Sequence, residues 1–244
     1  MKVLFAGPSL AGVDLSHIST NVVLRGPAQQ GDVTRAVIGG ATAIGLVDGL
    51  FEAVAAVWHK EILFGLSEGV RIFGAGSMGA LRAAECAPFG MMGIGAVYRR
   101  YASGELDDDA AVAQVHAPAE LGYTPLSEAL VNVEATVANA ERRGLINARE
   151  ARGLRHEAER IFFKDRTWDR IIEIMPGITT SRRTGLRSAV SEASIDVKRQ
   201  DAEDLLIHLD GLPNERQPPP GFVLSRTHLL EETIRSLSGA RTVG

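Results

Sequence analysis

The sequence predicts an α/β fold, a mostly parallel sheet with flanking helices, followed by a helical extension. Three observations predict it. Over the first 120 residues an apolar run, a glycine-containing turn and a helical stretch recur in that order, the rhythm of βαβ units. The runs are continuously apolar rather than alternating, as strands buried on both faces are. Beyond residue 124 the runs give way to helical spacing.

The first run, Val3 to Ala6, ends at Gly7-Pro8-Ser9, and the second is Val22-Val23-Leu24. Ala43 to Val47 stops at Asp48-Gly49, and Val70 to Phe73 stops at Gly74. Val112 to Val115 is the weakest candidate strand, while residues 90–103 read as helix. Thr124 is placed to cap a helix with Pro125 at its first position, Leu126, Leu130, Val133 and Val137 on one face, and Gly144 as the stop. A second helix opens at Asn147 and runs through Ala158 to Phe162, and a last one covers roughly residues 227–238. The division expected is an α/β core at 1–122, a helical region packed on it at 123–212, a linker at 213–221 around Pro218-Pro219-Pro220, and a C-terminal helix within 222–244.

Composition narrows the function classes. The 244 residues carry 26 Lys and Arg against 30 Asp and Glu, a net charge of −4. No basic field gathers nucleic acid or an anionic membrane surface. Residues 141–200 are locally basic, with 14 Lys or Arg against 9 acids, and read as a salt-bridged helical surface. The amino-terminal apolar run is too short for a signal-peptide core or a membrane span. The single cysteine, Cys86, forms no internal disulfide or thiolate metal site and points to a reducing cytoplasm. It also leaves no thiol pair for persulfide chemistry. No metal or cofactor is expected. Asp107-Asp108-Asp109 lacks the spacing of a calcium loop.

The stretch from Val57 to Glu85 is the richest in chemistry. Gly74-Ala75-Gly76-Ser77-Met78-Gly79 fits the G-x-G-x-x-G dinucleotide fingerprint between a strand and a helix. That fingerprint ordinarily ends the first strand of its fold, whereas at least two candidate strands precede it here. Read structurally, Ser77 caps the helix that follows. Read chemically, Ser77 is a hydroxyl on a sharp strand-to-helix turn, with the free amides of Met78 and Gly79 as an oxyanion hole and Gly76 allowing close approach.

A serine nucleophile needs a base, and His59 and Lys60 are the nearest candidates, with Asp48 as an orienting acid. Strands of a parallel sheet all point one way, so the loops after 43–47 and 70–73 open on the same edge. If the intervening helix begins near Val57, Lys60 lies in its first turn on that edge, and 17 residues suffice for the chain to return to Ser77. A helix beginning at Leu50 instead puts Lys60 too far down. Lys60 acts as a base only when held neutral, which burial at a helix start favours. Otherwise it is a surface lysine, and His59 a packing residue beside Trp58. Arg82 and Glu85 are spaced to pair on one helix, and His116 is a further site candidate.

Gly45-Leu46-Val47-Asp48-Gly49-Leu50-Phe51-Glu52, Val57-Trp58-His59-Lys60-Glu61-Ile62-Leu63 and the block Gly74 to Glu85 (GAGSMGALRAAE) resemble the TfuA-like family. Phe89-Gly90-Met91, the acids at 107–109, His116 and Phe163 to Trp168 extend the likeness over roughly residues 3–170. The resemblance implies a partner of YcaO enzymes, which use ATP to activate a backbone amide of a ribosomal peptide for thioamidation. It implies hydrolysis of the C-terminal thiocarboxylate of a ThiS-like sulfur carrier, releasing sulfide to YcaO. It further implies help in holding the precursor peptide, and a Ser–Lys pair that falls on Ser77 and Lys60. A non-catalytic adaptor that recruits peptide to YcaO, and a dinucleotide-binding oxidoreductase, are the competing readings.

Overall fold

The structure is a computed structural model describing residues 1–15, 21–50 and 54–239. It divides into two compact units, one formed by Met1–Asp107 with Arg199–Gly244 and the other by Asp108–Lys198.

The first unit is built on five parallel strands: β1 (Lys2–Phe5), β2 (Val22–Arg25), β3 (Ala43–Leu46), β4 (Arg71–Ala75) and β5 (Met92–Ile94). Their order is β2-β1-β3-β4-β5, a doubly wound sheet whose switch point lies between β1 and β3. Alternate residues separate two cores, as the period of a strand requires. Val3, Phe5, Ile44, Leu46 and Ile72 face a layer containing α1 (Asp32–Ile38), α2 (His59–Ser67), α3 (Met78–Cys86) and Leu230 of α10 (His228–Gly239). On the opposite face Leu4, Ala43, Phe73 and Ala75 meet Ala202, Leu205, Leu206 and Leu209 of α9 (Val197–Gly211). Lys2 Nζ caps this helix by donating to the Asp210 and Leu212 carbonyls.

The fifth strand is not at 112–115. Those residues form no strand, and the neighbouring His116 makes only an isolated bridge with Pro125. It lies instead at Met92–Ile94, inside the segment whose composition reads as helix, and α4 (Gly95–Ala102) begins directly after it. Three residues are too few to show a strand's period. Gly93 is needed there because a Cβ would fall 2.0 Å from the Tyr98 ring. The N-terminus of α4 is held by Asp201, whose two carboxylate oxygens accept from the Ala96 and Val97 amides at 2.7 and 2.8 Å.

The segment 213–221 contains neither helix nor strand, yet it is tied to the first unit. Arg216 donates to the carbonyls of Val37, Ala41 and Glu68 at the ends of α1 and α2, and the Gln217 amide donates to Gly69.

The second unit is helical: α5 (Leu130–Arg142), α6 (Ala148–Arg160), α7 (Trp168–Ile174) and α8 (Thr180–Glu192) enclose Val133, Val137, Leu154, Ile171, Ile172 and Leu186. Helix α5 starts at Leu130, five residues after Pro125, because Thr124 and Pro125 are drawn into the bridge with His116 and the Ser127 hydroxyl accepts from the Val115 amide. Its stop is as the sequence indicates, with Gly144 at φ +71°. Asn147 caps α6 through the Arg149 and Glu150 amides, and Glu150 closes the capping box. Among the described residues no helix is long and apolar enough to cross a membrane.

Candidate functional site

Of the loops at the carboxyl edge of the sheet, those after β1, β3 and β4 carry the candidate residues. The first two form a hydrogen-bonded knot at the switch point. Asp48, 1% exposed, accepts from the Gly7 and Ser9 amides at 2.9 Å each and from the Ser9 hydroxyl at 2.8 Å. Its own carbonyl accepts from the Ala28 amide, which draws the loop after β2 into the same knot. Two oxygens receiving three donors leave Asp48 as an anchor for the β1 loop rather than an orienter of Lys60.

The β4–α3 turn holds the serine. Ser77 N–H donates to the Ala75 carbonyl at 2.7 Å across Gly76, whose φ is +64°, a three-residue turn of the kind only glycine centres readily. The other two glycines permit close packing: a Cβ on Gly74 would lie 1.9 Å from the Gly79 carbonyl oxygen, and one on Gly79 would lie 1.8 Å from that of Leu46. All three glycines of the fingerprint are thus explained by the turn itself. The motif also follows the fourth strand, and β5 ends at Ile94-Gly95 with no acid for a ribose.

Ser77 occupies the N-cap position of α3, but its side chain makes no capping bond. Among the described residues its hydroxyl, 1% exposed, has no hydrogen-bond partner. The amide pair expected for an oxyanion is only half available. Gly79 N–H donates to the Val47 carbonyl at 2.9 Å, whereas no carbonyl among the described residues accepts from the amides of Met78 or Gly76. The Met78 side chain packs against Gly49.

Helix α2 begins at His59, so Lys60 sits in its first turn, at the carboxyl edge; the alternative start at Leu50 runs through residues 51–53, outside the described residues. Lys60 shares no hydrogen bond with Ser77. Its Nζ donates instead to the Ser225 carbonyl at 3.1 Å. His59 Nε2 lies 2.8 Å from Glu85 Oε2, which also takes Arg82 Nη1 at 2.5 Å, and Arg82 Nε donates to the Val57 carbonyl. The pairing of Arg82 with Glu85 is the one their spacing suggests, and through His59 it links the start of α2 to the second half of α3.

Two buried acids escape a reading based on motif alone. Glu61, fully buried, accepts from the Gly31 amide and from both the amide and hydroxyl of Thr34, joining the start of α2 to that of α1. Its position three residues into the helix was the available signal. Asp201 had none, since its partners lie over 100 residues away. Cys86 is buried, and its thiol is pushed up to about 11 by burial and then by Glu85, against a smaller opposing effect of Arg82. It is an inert core thiol. His116, in the second unit, bonds to the Ala117 carbonyl and packs edge-on to Tyr123. Among the described residues no group of three or more His, Cys, Asp or Glu is placed to hold a metal ion.

A comparison with curated proteins gives no match. The family model described as TfuA-like protein matches residues 48–167, from the anchoring Asp48 through Lys60, the Ser77 turn and into the helical unit. Through that region the chain is similar to the TfuA-like family.

Proposed function

We propose that this protein hydrolyses the C-terminal thiocarboxylate of a ThiS-like sulfur carrier and delivers the sulfide to a YcaO partner for peptide thioamidation. TfuA-like proteins are associated with that setting. The observation that carries the proposal is the Ser77 hydroxyl, which sits on a glycine turn at the sheet's carboxyl edge and caps nothing. Ligands of open α/β sheets bind at that edge.

The chemistry is acyl transfer. Lys60 takes the Ser77 proton as the oxygen attacks the thiocarboxyl carbon, and the Met78 amide, with Gly76 beside it, holds the oxyanion. The carbon–sulfur bond breaks, the proton passes from Lys60 to sulfur, and HS⁻ leaves an acyl-serine. Water then adds to the ester, releasing the carrier carboxylate and restoring the hydroxyl. For this, Lys60 must leave the Ser225 carbonyl and the buried hydroxyl must be uncovered when the carrier docks. His59 and Arg82, bridged through Glu85, are the side chains assigned in this reading to meet the carrier's tail. No cofactor is needed, and the precursor peptide is met through YcaO.

A non-catalytic adaptor is the competing reading, favoured by the engagement of Lys60 with Ser225 rather than Ser77. Incubation of the protein with a thiocarboxylated carrier separates the two. Hydrolysis yields sulfide and carrier carboxylate in equal amounts; an adaptor leaves the thiocarboxylate intact.

A further inference from the structure

The helical unit encloses a polar cavity of about 180 Å³ that the hydrolase reading does not use. Gln114, Ser127, Glu128, Asn132, Trp168 and Asp196 line it. The volume is below that of a drug-sized pocket and suits one functional group with a few carbons.

Most of the lining is already bonded. Ser127 Oγ accepts from the Val115 amide, and Gln114 Oε1 accepts from Lys198 Nζ, which also donates to the Val112 carbonyl. Asn132 donates to Asp196 at 2.9 Å and accepts from the Val197 amide. The Glu128 carboxylate differs: among the described residues it has no hydrogen bond and no ion pair. Burial and the neighbouring Asp196 push its carboxyl above the ordinary range, as expected of an acid with no cation beside it.

Glu128 and Asp196 bring two acids to one cavity. The nearby Arg166 guanidinium donates to the carbonyls of Ala158, Ile161, Ala110 and Glu128, and its charge is met by Glu134 and Asp108. Glu128 thus brings to the cavity a carboxylate with no cation against it among the described residues, and Trp168 lines the same space. A planar cation satisfies both features, because two carboxylates accept its forked donors while the ring stacks on it.

We propose that this cavity binds a guanidinium group, held by Glu128 and Asp196 against Trp168. The group comes either from a small free guanidine compound or from the arginine side chain of a peptide. The site is independent of the Ser77 chemistry and stands or falls separately from it.

The chain has two tryptophans, so a Trp58→Phe background leaves Trp168 as the sole indole reporter. Methylguanidinium chloride, titrated at constant ionic strength, is expected to change Trp168 fluorescence saturably, while methylammonium and sodium chlorides are not. Glu128→Gln, with an unchanged thermal melt, is expected to weaken that binding by about tenfold or more. If Glu128→Gln does not fold, Glu128→Asp, which withdraws the charge by one methylene, is expected to weaken binding in the same direction. An acetylated, amidated Ala-Arg-Ala peptide that binds at least as tightly as methylguanidinium assigns the group to an arginine side chain; binding of methylguanidinium alone assigns it to a free compound. Equal responses to all three salts, or full affinity in a folded Glu128 variant, would overturn the proposal.

Discussion

The β3 and β4 loops leave the same edge of one sheet, only a strand apart, and treat their buried polar groups in opposite ways. Asp48, at the end of β3, has both carboxylate oxygens saturated by the β1 loop. Ser77, at the end of β4, holds a buried hydroxyl that bonds to nothing among the described residues. Buried polar groups are ordinarily satisfied because an unmade bond costs about 1–3 kcal/mol. One loop therefore stabilises the fold, and the other keeps a reactive group ready that contributes no side-chain bond to it. Substitutions should separate the two.

The largest expected effect is on chemistry. Ser77→Ala should lower sulfide release from a thiocarboxylated carrier by about 10³-fold or more while leaving the denaturant midpoint almost unchanged, since no cap is lost. A destabilisation as large as that of an Asp48 variant would break the contrast. Asp48→Ala should do the reverse, lowering the unfolding free energy by about 3 kcal/mol in urea titration as Gly7, Ser9 and the β1 loop lose their acceptor. Lys60→Ala should slow sulfide release by about 10²-fold with little change in stability, because its side-chain bond to Ser225 is an exposed one.

The helical unit offers a smaller, pH-resolved effect. Arg182 donates to Glu150 through Nε and Nη2 at 2.6 and 2.7 Å and holds its carboxyl below the usual range. A depressed acid stabilises the fold above its unfolded pKa of 4.5 and loses that contribution as pH falls through its lower folded value. Glu150→Gln should therefore cost about 1 kcal/mol near neutral pH, reduced by the solvent exposure of Arg182. The difference from wild type should shrink as the pH of the melt drops below 4.5. The smallest effect is expected at Cys86. With its thiol buried and pushed up to about 11, Cys86→Ala should leave sulfide release within about twofold of wild type.

Four of the five strands, the start of α6 and the stop of α5 were legible because each is written locally, in an apolar run, an Asn cap or a glycine, whereas the start of α2 was open between Val57 and Leu50 until the structure put it at His59. The fifth strand was not, because Met92-Gly93-Ile94 is three residues long and takes its place from β4 and the Tyr98 ring. Thr124 and Pro125 carried a helix-start signal that the His116 bridge overrode. At the site, residue type and spacing put Ser77 on the turn, and put Lys60 in the first turn of its helix on one of the two starts they allowed. They could not reveal that Asp48 serves the β1 loop, that the Gly79 amide serves Val47, or that Lys60 meets Ser225, since those partners are set by tertiary contacts up to 165 residues apart.

The central claim is that the Ser77 oxygen becomes acylated. Rapid quenching of the protein with a thiocarboxylated carrier, followed by mass spectrometry of the peptide spanning the β4–α3 turn, tests it directly. The account predicts a carrier adduct on Ser77 that forms with HS⁻ release, decays with appearance of carrier carboxylate, and is absent from Ser77→Ala. Sulfide release at the wild-type rate from Ser77→Ala, with no adduct on either protein, would contradict it.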